Sequence, residues 1–203
     1  GEILSVIPLI EKLEKNKKIS QILITSNTLS SSKILKNLNL KKTIHQFFPI
    51  DTNYHTKKFL NYWKPSLAIF IDSEIWPNMI LNIKKKPISL LLLNARITKK
   101  SFNRWNKFIL SAKIFFRQFD TCFPSSIESK KYLKLLGAKN IKDIGNLKFS
   151  QTEKKEVVLN EYLKKFFLSK RIWCASSTHN IEENYAAMVH KELKLKYKNV
   201  LTI

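Results

Sequence analysis

Two acidic side chains, Asp72 and Glu74, follow directly after the apolar stretch Leu67–Ile71. Five consecutive apolar residues predict a strand that is buried on both faces, as in a parallel sheet. Ligands of open α/β sheets collect at the carboxyl ends of strands, where carboxylates can accept a proton or orient a substrate. The alternative is that Asp72 or Glu74 caps a helix beginning near Pro77 and takes no part in chemistry.

Polar groups also stand at other points where a predicted strand or helix begins or ends. They are Glu2, Asn94 with Arg96, Lys148 in the segment 145–149, and Ser177, Thr178 and His179. In a parallel sheet such junctions converge at one edge, where Arg96 and Lys148 would suit an anionic substrate whose hydroxyl must lose a proton. Ser177 and Thr178 at a helix start could bind phosphate. Taken singly, each has a structural alternative: a surface ion pair for Arg96, a turn for Asn94, a helix cap for Ser177.

The elements that would position these groups alternate between strand and helix patterns. Strands are predicted at residues 19–26, 44–50, 67–71, 88–93, 119–123 and 140–144, and helices at residues 1–15, 32–38, 56–63, 76–85 and 125–136. Ser125 with Glu128 is a capping box for the last helix, and Gly137 is its stop signal. This order predicts an α/β fold with a doubly wound parallel sheet.

One long segment, residues 102–119, carries apolar residues at helical spacing. The apolar residues are Phe102, Trp105, Ile109, Ala112 and Phe116, and basic residues elsewhere on the helix are Arg104, Lys107, Lys113 and Arg117. The spacing predicts one amphipathic helix that packs against the sheet. The alternative is a helix that lies on an anionic membrane surface.

The pattern changes after residue 150. We interpret residues 1–150 as an N-terminal Rossmann-like domain, 151–170 as a charged connector and 171–203 as the start of a second Rossmann-like domain. The chain begins on a helix, without the central strand that normally precedes it in a doubly wound sheet, and ends on an apolar strand. We therefore expect a fragment that is aggregation-prone and inactive by itself.

The composition argues against several classes of site. Three glycines in 203 residues leave no GxGxxG turn and no P-loop, which excludes NAD enzymes of the usual fingerprint and P-loop NTPases. Cys122 and Cys174 lie in apolar runs without a CxxC pair, which predicts buried thiols in a reducing compartment. The four histidines have no zinc-ligand spacing, so we expect neither a metal nor another cofactor.

The formal net charge is +22, yet only four of the 37 basic residues are arginine. The lysines are spread over nearly every predicted helix, whereas a nucleic-acid-binding module needs a clustered basic face and usually reads bases with arginine. The joint excess of Lys, Ile and Asn is typical of an AT-rich genome. The alternative is attraction to an anionic membrane surface or a phosphorylated substrate. We expect no nucleic-acid partner.

Five segments together resemble one protein family. They are Gly-Glu-Ile-Leu-Ser-Val-Ile-Pro-Leu-Ile at 1–10, Asp-Ser-Glu-Ile-Trp-Pro-Asn at 72–78, Asn-Ala-Arg at 94–96, Gly-Asn-Leu-Lys-Phe at 145–149, and Ser-Thr-His at 177–179 with Glu182 and Glu183. In this order they resemble the 3-deoxy-D-manno-octulosonic acid (Kdo) transferases of lipid A biosynthesis. The resemblance covers essentially the whole chain and implies a GT-B fold of two Rossmann-like domains.

The same resemblance implies substrates, location and residue roles. CMP-Kdo would be the donor and a lipid A precursor (lipid IVA) the acceptor, at the cytoplasmic face of the bacterial inner membrane, with the enzyme peripheral or anchored by a segment outside this chain. Transfer would be inverting, with Glu2 as general base, Glu74 as a second catalytic residue, and Asp72, Arg96, Lys148, Ser177, Thr178 and His179 binding substrate. The alternatives are a GT-B transferase that uses a UDP-sugar and a basic nucleic-acid-binding module.

Overall fold

The computed structural model describes residues 2–147 and 159–203. The chain divides into two compact units, Gly1–Glu153 and Lys154–Ile203. The first unit contains α1 (Glu2–Glu14), β1 (Ile22–Ser26), α2 (Leu29–Lys36), β2 (Thr43–Phe47), α3 (Asn53–Trp63), β3 (Leu67–Ile71), α4 (Pro77–Lys84), β4 (Ser89–Ala95), α5 (Lys99–Asn106), α6 (Ile109–Phe116), β5 (Thr121–Pro124) and α7 (Ile127–Leu135). The second contains α8 (Glu161–Leu168), β6 (Arg171–Trp173), α9 (Glu182–Lys196) and β7 (Val200–Thr202).

Within the described residues every paired strand is parallel to its neighbour. β1 pairs with β2, β3, β4 and β5 form a second sheet in that order, and β6 pairs with β7. Parallel strands need a crossover connection, which the intervening helices supply, so the predicted α/β fold class is confirmed. The predicted limits of the domains and connector stay a prediction, because they fall partly in residues 148–158, outside the described part of the chain.

Helix α1 packs against both sheets of the first unit. Val6 and Ile10 are buried together with Leu35 of α2, and Ile24 of β1 and Ile71 of β3 pack against the same cluster. β1 and β3 are not paired with each other, so the helix connects two sheets that share no hydrogen-bonded strands.

The far end of α1 is fixed at the start of β2. The Glu14 carboxylate accepts hydrogen bonds from the N–H groups of Lys41 and Lys42, at 3.1 and 3.0 Å, and from the Thr43 hydroxyl. The C-terminal end of α1 therefore lies at the amino ends of the strands. Because its 13 residues extend about 20 Å, the first turn of α1 lies towards the carboxyl ends.

The main core surrounds the three-stranded sheet. Helices α3, α4, α6 and α7 contribute buried side chains that pack against β4 and its neighbours, including Leu60, Ile80, Ile83, Phe116 and Leu133. Burial of such side chains is the principal stabilising contribution to this unit. None of the helices in the described ranges is long and apolar enough to cross a membrane.

The single helix predicted over residues 102–119 is wrong, because the segment forms α5 and α6. Phe108 leaves the helical conformation, with φ −126° and ψ 50°. The bend allows the Trp105 and Phe116 rings to meet at 5.6 Å. The predicted apolar face nevertheless packs inwards, since Ala112 and Phe116 are buried and Trp105 and Ile109 pack partly against the core.

Of two local predictions around α7, the cap is wrong and the stop signal is confirmed. The helix is capped by Ser126, whose hydroxyl accepts the Ser129 N–H, whereas the Ser125 hydroxyl donates to the Ala95 carbonyl of β4. The Ser125 hydroxyl therefore binds the sheet and does not cap the helix. Gly137 does follow the helix end with a left-handed φ of 98°, as predicted.

The strand predicted at residues 140–144 is reduced to one bridge, between Cys122 and Ile141. The polar residues around Ile141 leave no continuous apolar run to bury. Cys122 is buried, and this burial raises the pKa of its thiol to about 12. Cys174 is exposed, contrary to prediction, because β6 ends one residue earlier, at Trp173.

We predict that Glu14→Gln lowers stability mainly near neutral pH. The Thr43 hydrogen bond lowers the pKa of Glu14 most; loss of water acts in the opposite direction, and the Lys41 and Lys42 N–H groups lower the pKa further. A lowered pKa stabilises the folded state above the unfolded-state pKa, and this stabilisation is lost as pH falls through the folded-state value. Urea unfolding at about pH 7 and about pH 3 should show the wild-type advantage shrinking in acid. An advantage that is equal at both pH values would contradict this role.

Candidate active site

The carboxyl ends of β3 and β4 are joined by a buried hydrogen bond, in which Asn94 Nδ2 donates to Asp72 Oδ1. Asp72 and Asn94 have φ values of 55° and 52°, in the left-handed region that Asp and Asn enter more readily than most residues. The pairing of β4 with β5 changes register between Leu92 and Ala95, around Asn94. Bulges of this kind often redirect a side chain beside a functional site. Asp72 is buried and fixes the turn, while its predicted contact with substrate stays a prediction.

Two backbone N–H groups from other segments bind at the same junction. The Asp72 carbonyl accepts the Arg96 N–H at 3.2 Å, and Asn94 Oδ1 accepts the Leu147 N–H at 3.3 Å. The turns after β3 and β4 and the segment ending at Leu147 are therefore brought together, as the sequence predicts for strand ends of a parallel sheet. The Arg96 side chain is exposed. Lys148 lies outside the described residues.

Glu74 is held in place by neighbouring side chains. Its Oε2 accepts a hydrogen bond from the Trp76 indole at 2.6 Å and one from Asn27 Nδ2 at 3.5 Å. The Trp76 ring stacks on Phe48, with centroids 5.0 Å apart. Asn27 follows β1, so its hydrogen bond connects the carboxyl ends of the two sheets. We call this side of the first unit, with Asn27, Asp72, Glu74, Asn94 and Arg96, the carboxyl edge.

Helix α4, which follows Trp76, is capped from a distant part of the chain. The Asp51 carboxylate accepts the N–H groups of Asn78 and Met79 at 3.1 and 2.8 Å, and the Asn78 amide donates to the Asp51 carbonyl at 2.7 Å. Neither Asp72 nor Glu74 caps this helix, so the capping role that the alternative gave them is wrong, and their part in chemistry stays a prediction. Asp51 is a residue that the sequence analysis missed.

Two further polar residues that the sequence analysis did not single out, Ser26 and His45, are hydrogen-bonded at the end of β1. Ser26 Oγ and His45 Nε2 are 2.8 Å apart, next to Asn27 of the carboxyl edge. Burial, and then the charge of Lys36, lowers the pKa of His45 below its ordinary value, which favours the neutral imidazole. A polar residue at the last position of an apolar strand was the signal that could have identified Ser26.

Glu2 begins α1, and nothing is described of its side chain. Its backbone position follows from the orientation of the helix. Glu14 is bound at the amino ends of the strands, while Ile3 packs in the cluster that includes Ile71, the last residue of β3. The first turn of α1 therefore lies on the side of the carboxyl edge.

The remaining predicted site residues belong to the second unit, between β6 and α9. Ser177 and His179 are exposed, and Ser177 has a left-handed φ of 58°. The His179 N–H donates to Glu182 Oε2 at 2.8 Å, so an acidic residue of the first turn binds the backbone ahead of the helix. Thr178 lines a shallow concavity together with Glu183, His190 and Thr202. In the described part of the chain, no group of three or more His, Cys, Asp or Glu side chains could hold a metal ion.

Comparison with known proteins decides the family. The model of the family described as 3-Deoxy-D-manno-octulosonic-acid transferase (kdotransferase) matches residues 1–151. The chain belongs to this family. The resemblance carried by the five sequence segments is thereby confirmed.

Sequence similarity to known proteins extends over nearly the whole chain. The 3-deoxy-D-manno-octulosonic acid transferase of Rickettsia conorii is 38% identical over 204 residues, which cover 97% of this chain and 42% of that protein. The protein of the same name from Rickettsia bellii is 35% identical over 199 residues, covering 96% of this chain and 46% of its own length. The chain thus spans less than half the length of these relatives.

A solved structure shares the fold. The complex of Staphylococcus aureus MnaA with UDP matches with a TM-score of 0.55 at 14% identity, covering 99% of this chain and 58% of that one. At this identity the likeness concerns the fold alone. It agrees with the predicted GT-B-like α/β class.

We predict that Asp51→Ala destabilises the first unit by about 1–2 kcal/mol, because the first turn of α4 loses its cap. Urea unfolding at neutral pH measures the change. Asp143→Ala is the matched control, since among the described residues Asp143 pairs with Lys130 at the surface, at 3.4 Å, and its loss should cost less than about 0.5 kcal/mol. Equal effects of the two substitutions would show that Asp51 does not act as the cap.

Proposed function

We propose that this chain is the acceptor-side part of a glycosyltransferase that moves Kdo from CMP-Kdo to a lipid A precursor, lipid IVA, in lipopolysaccharide biosynthesis. Family membership supports the reaction class. The observation that carries the site is Glu74, held by Trp76 and Asn27 on the side of the unit towards which the first turn of α1 extends. Two acidic residues, Glu2 and Glu74, can thus serve one acceptor.

In the proposed reaction, Glu2 accepts the proton of the acceptor hydroxyl while the hydroxyl oxygen attacks the anomeric carbon of Kdo. The bond from that carbon to the CMP phosphate breaks, and CMP leaves with the electron pair. Attack on the face opposite the leaving group inverts the anomeric configuration. The step requires neither oxidation nor reduction.

The other site residues divide between the two substrates. Glu74 orients the acceptor, and the exposed Arg96, together with Lys148, offsets the negative charge of phosphate and carboxylate groups. Asp72 acts indirectly by fixing the turn that carries Glu74 and Arg96. In the second unit, Ser177, Thr178 and His179 lie ahead of a helix and bind the donor.

Because the proposed acceptor is a lipid, the reaction takes place at a membrane surface, and an anionic inner-membrane surface is the proposed partner. The net charge of +22 supports electrostatic attraction to such a surface.

The general base is tested with Glu2→Gln in a full-length Kdo transferase that carries residues 1–203. We predict a loss of kcat of roughly a hundredfold or more, because the acceptor hydroxyl loses its proton acceptor. Glu11→Gln, an exposed residue of the same helix, is the control and should leave kcat unchanged.

The proposed donor is tested by comparing CMP-Kdo with UDP-sugars in the same assay. Turnover of a UDP-sugar alone would contradict CMP-Kdo as the donor.

The role of Trp76 is tested separately with Trp76→Phe, which retains the ring on Phe48 and removes the hydrogen bond to Glu74. We predict a loss of roughly tenfold in kcat/KM for the acceptor, since a hydrogen bond to a charged group is lost. Trp63→Phe is the matched control, because it removes an indole hydrogen bond to Gln46 of β2. Equal losses in both variants would remove the reason to assign Trp76 to the site.

A further inference from the structure

Helix α6 is apolar on two faces, and the core uses only one of them. Ala112 and Phe116 are buried, and Ile109 packs partly against the core. On the other face Leu110 and Ile114, which are four residues apart, are 78% and 53% exposed. A surface helix normally has a polar outer face, so the exposed apolar residues of α6 are unusual.

A third exposed apolar residue precedes this face in the chain. Phe108, at the N-terminal end of α6, is 71% exposed. Phe108, Leu110 and Ile114 are named here the α6 patch. Exposed apolar residues that occur together mark interaction sites more often than those scattered singly.

The sequence around the α6 patch carries positive charge only. Residues 96–117 contain seven basic residues and no acidic residue. Lys107 precedes Phe108, and Arg117 follows Ile114 by three residues, and both are exposed. The three ion pairs found among the described residues lie elsewhere, so none of these charges is neutralised by one of them.

We propose that the α6 patch docks onto an anionic phospholipid bilayer. Phe108, Leu110 and Ile114 enter the headgroup boundary, while Lys107 and Arg117 lie near lipid phosphates. The inference rests on the proposed function, because a lipid acceptor requires the enzyme to work at a membrane. The proposed membrane contact lies on the face of α6 opposite to Ala112 and Phe116, whose helical spacing is evident in the sequence.

Other occupants fit this surface less well. Nucleic-acid phosphates would bind the basic residues but would not use the three apolar side chains. A second copy would bring two basic surrounds together, and like charges across an interface are unfavourable. Three side chains also offer much less than the roughly 800 Å² per partner that a stable protein interface buries.

The test is co-sedimentation of the 203-residue chain, cleared of aggregate by a preceding spin, with vesicles of phosphatidylcholine containing about 30% phosphatidylglycerol, with phosphatidylcholine alone, and without vesicles. Wild type should bind the anionic vesicles. Leu110→Ser with Ile114→Ser should weaken binding at least about tenfold, because apolar burial is lost. Lys107→Glu with Arg117→Glu should weaken it by a similar factor, since each basic residue near the surface strengthens binding about fivefold.

Two controls match these variants. Ile127→Ser replaces a side chain that is 84% exposed on α7, and Lys57→Glu with Lys58→Glu makes the same charge change on α3. Both should change binding less than about threefold, since neither lies at the proposed contact. Thermal melts should coincide for all variants, because every replaced side chain is exposed.

Failure of wild type to bind anionic vesicles, or wild-type binding by the Leu110→Ser, Ile114→Ser variant, would overturn the inference. Loss of self-association or of duplex DNA binding in that variant, without loss of vesicle binding, would also overturn it. Kdo transfer in detergent micelles by the full-length transferase separates the two proposals. Patch-dependent vesicle binding without transfer would contradict only the proposed function, and transfer without patch-dependent binding would contradict only the docking surface.

Discussion

A buried hydrogen bond, from the Asn94 amide to the Asp72 carboxyl group, joins the carboxyl ends of β3 and β4. Both residues adopt left-handed backbone conformations, and the Arg96 and Leu147 N–H groups bind to them in turn. Removing one partner would leave a buried polar group unsatisfied, at a cost of about 1–3 kcal/mol. The positions of Arg96 and Glu74 therefore depend on a contact that need not touch a substrate.

Two carboxylates only two residues apart thus have different environments. Asp72 is enclosed and binds the neighbouring turn, whereas Glu74 is half-buried and bound through one oxygen by Trp76 and Asn27. The order Glu-Ile-Trp-Pro-Asn explains this placement. The indole holds the carboxylate, Pro77 occupies the first helical turn where its missing N–H is tolerated, and the following amide binds the loop after β2.

The sequence was sufficient for the fold class and for the meeting of the turns after β3 and β4, because apolar strands and parallel pairing follow from local composition and from one topological rule. It was insufficient where the partner is distant or the choice is between neighbours. Asp51 caps a helix 27 residues away, and no local pattern indicates this. The Ser126 cap and the break at Phe108 likewise depend on contacts with the sheet and core. The outer face of α6 was hidden because its inner face follows the same helical period.

We propose that the carboxyl edge binds the acceptor beside Glu2 and Glu74. This is tested by a crystal structure of the full-length Kdo transferase carrying residues 1–203, bound to CMP and a deacylated acceptor. We expect the acceptor hydroxyl within about 2.6–3.2 Å of the Glu2 carboxylate, with Glu74 and Arg96 in contact with the same sugar. An acceptor bound away from Asn27, Glu74 and Arg96 would contradict it.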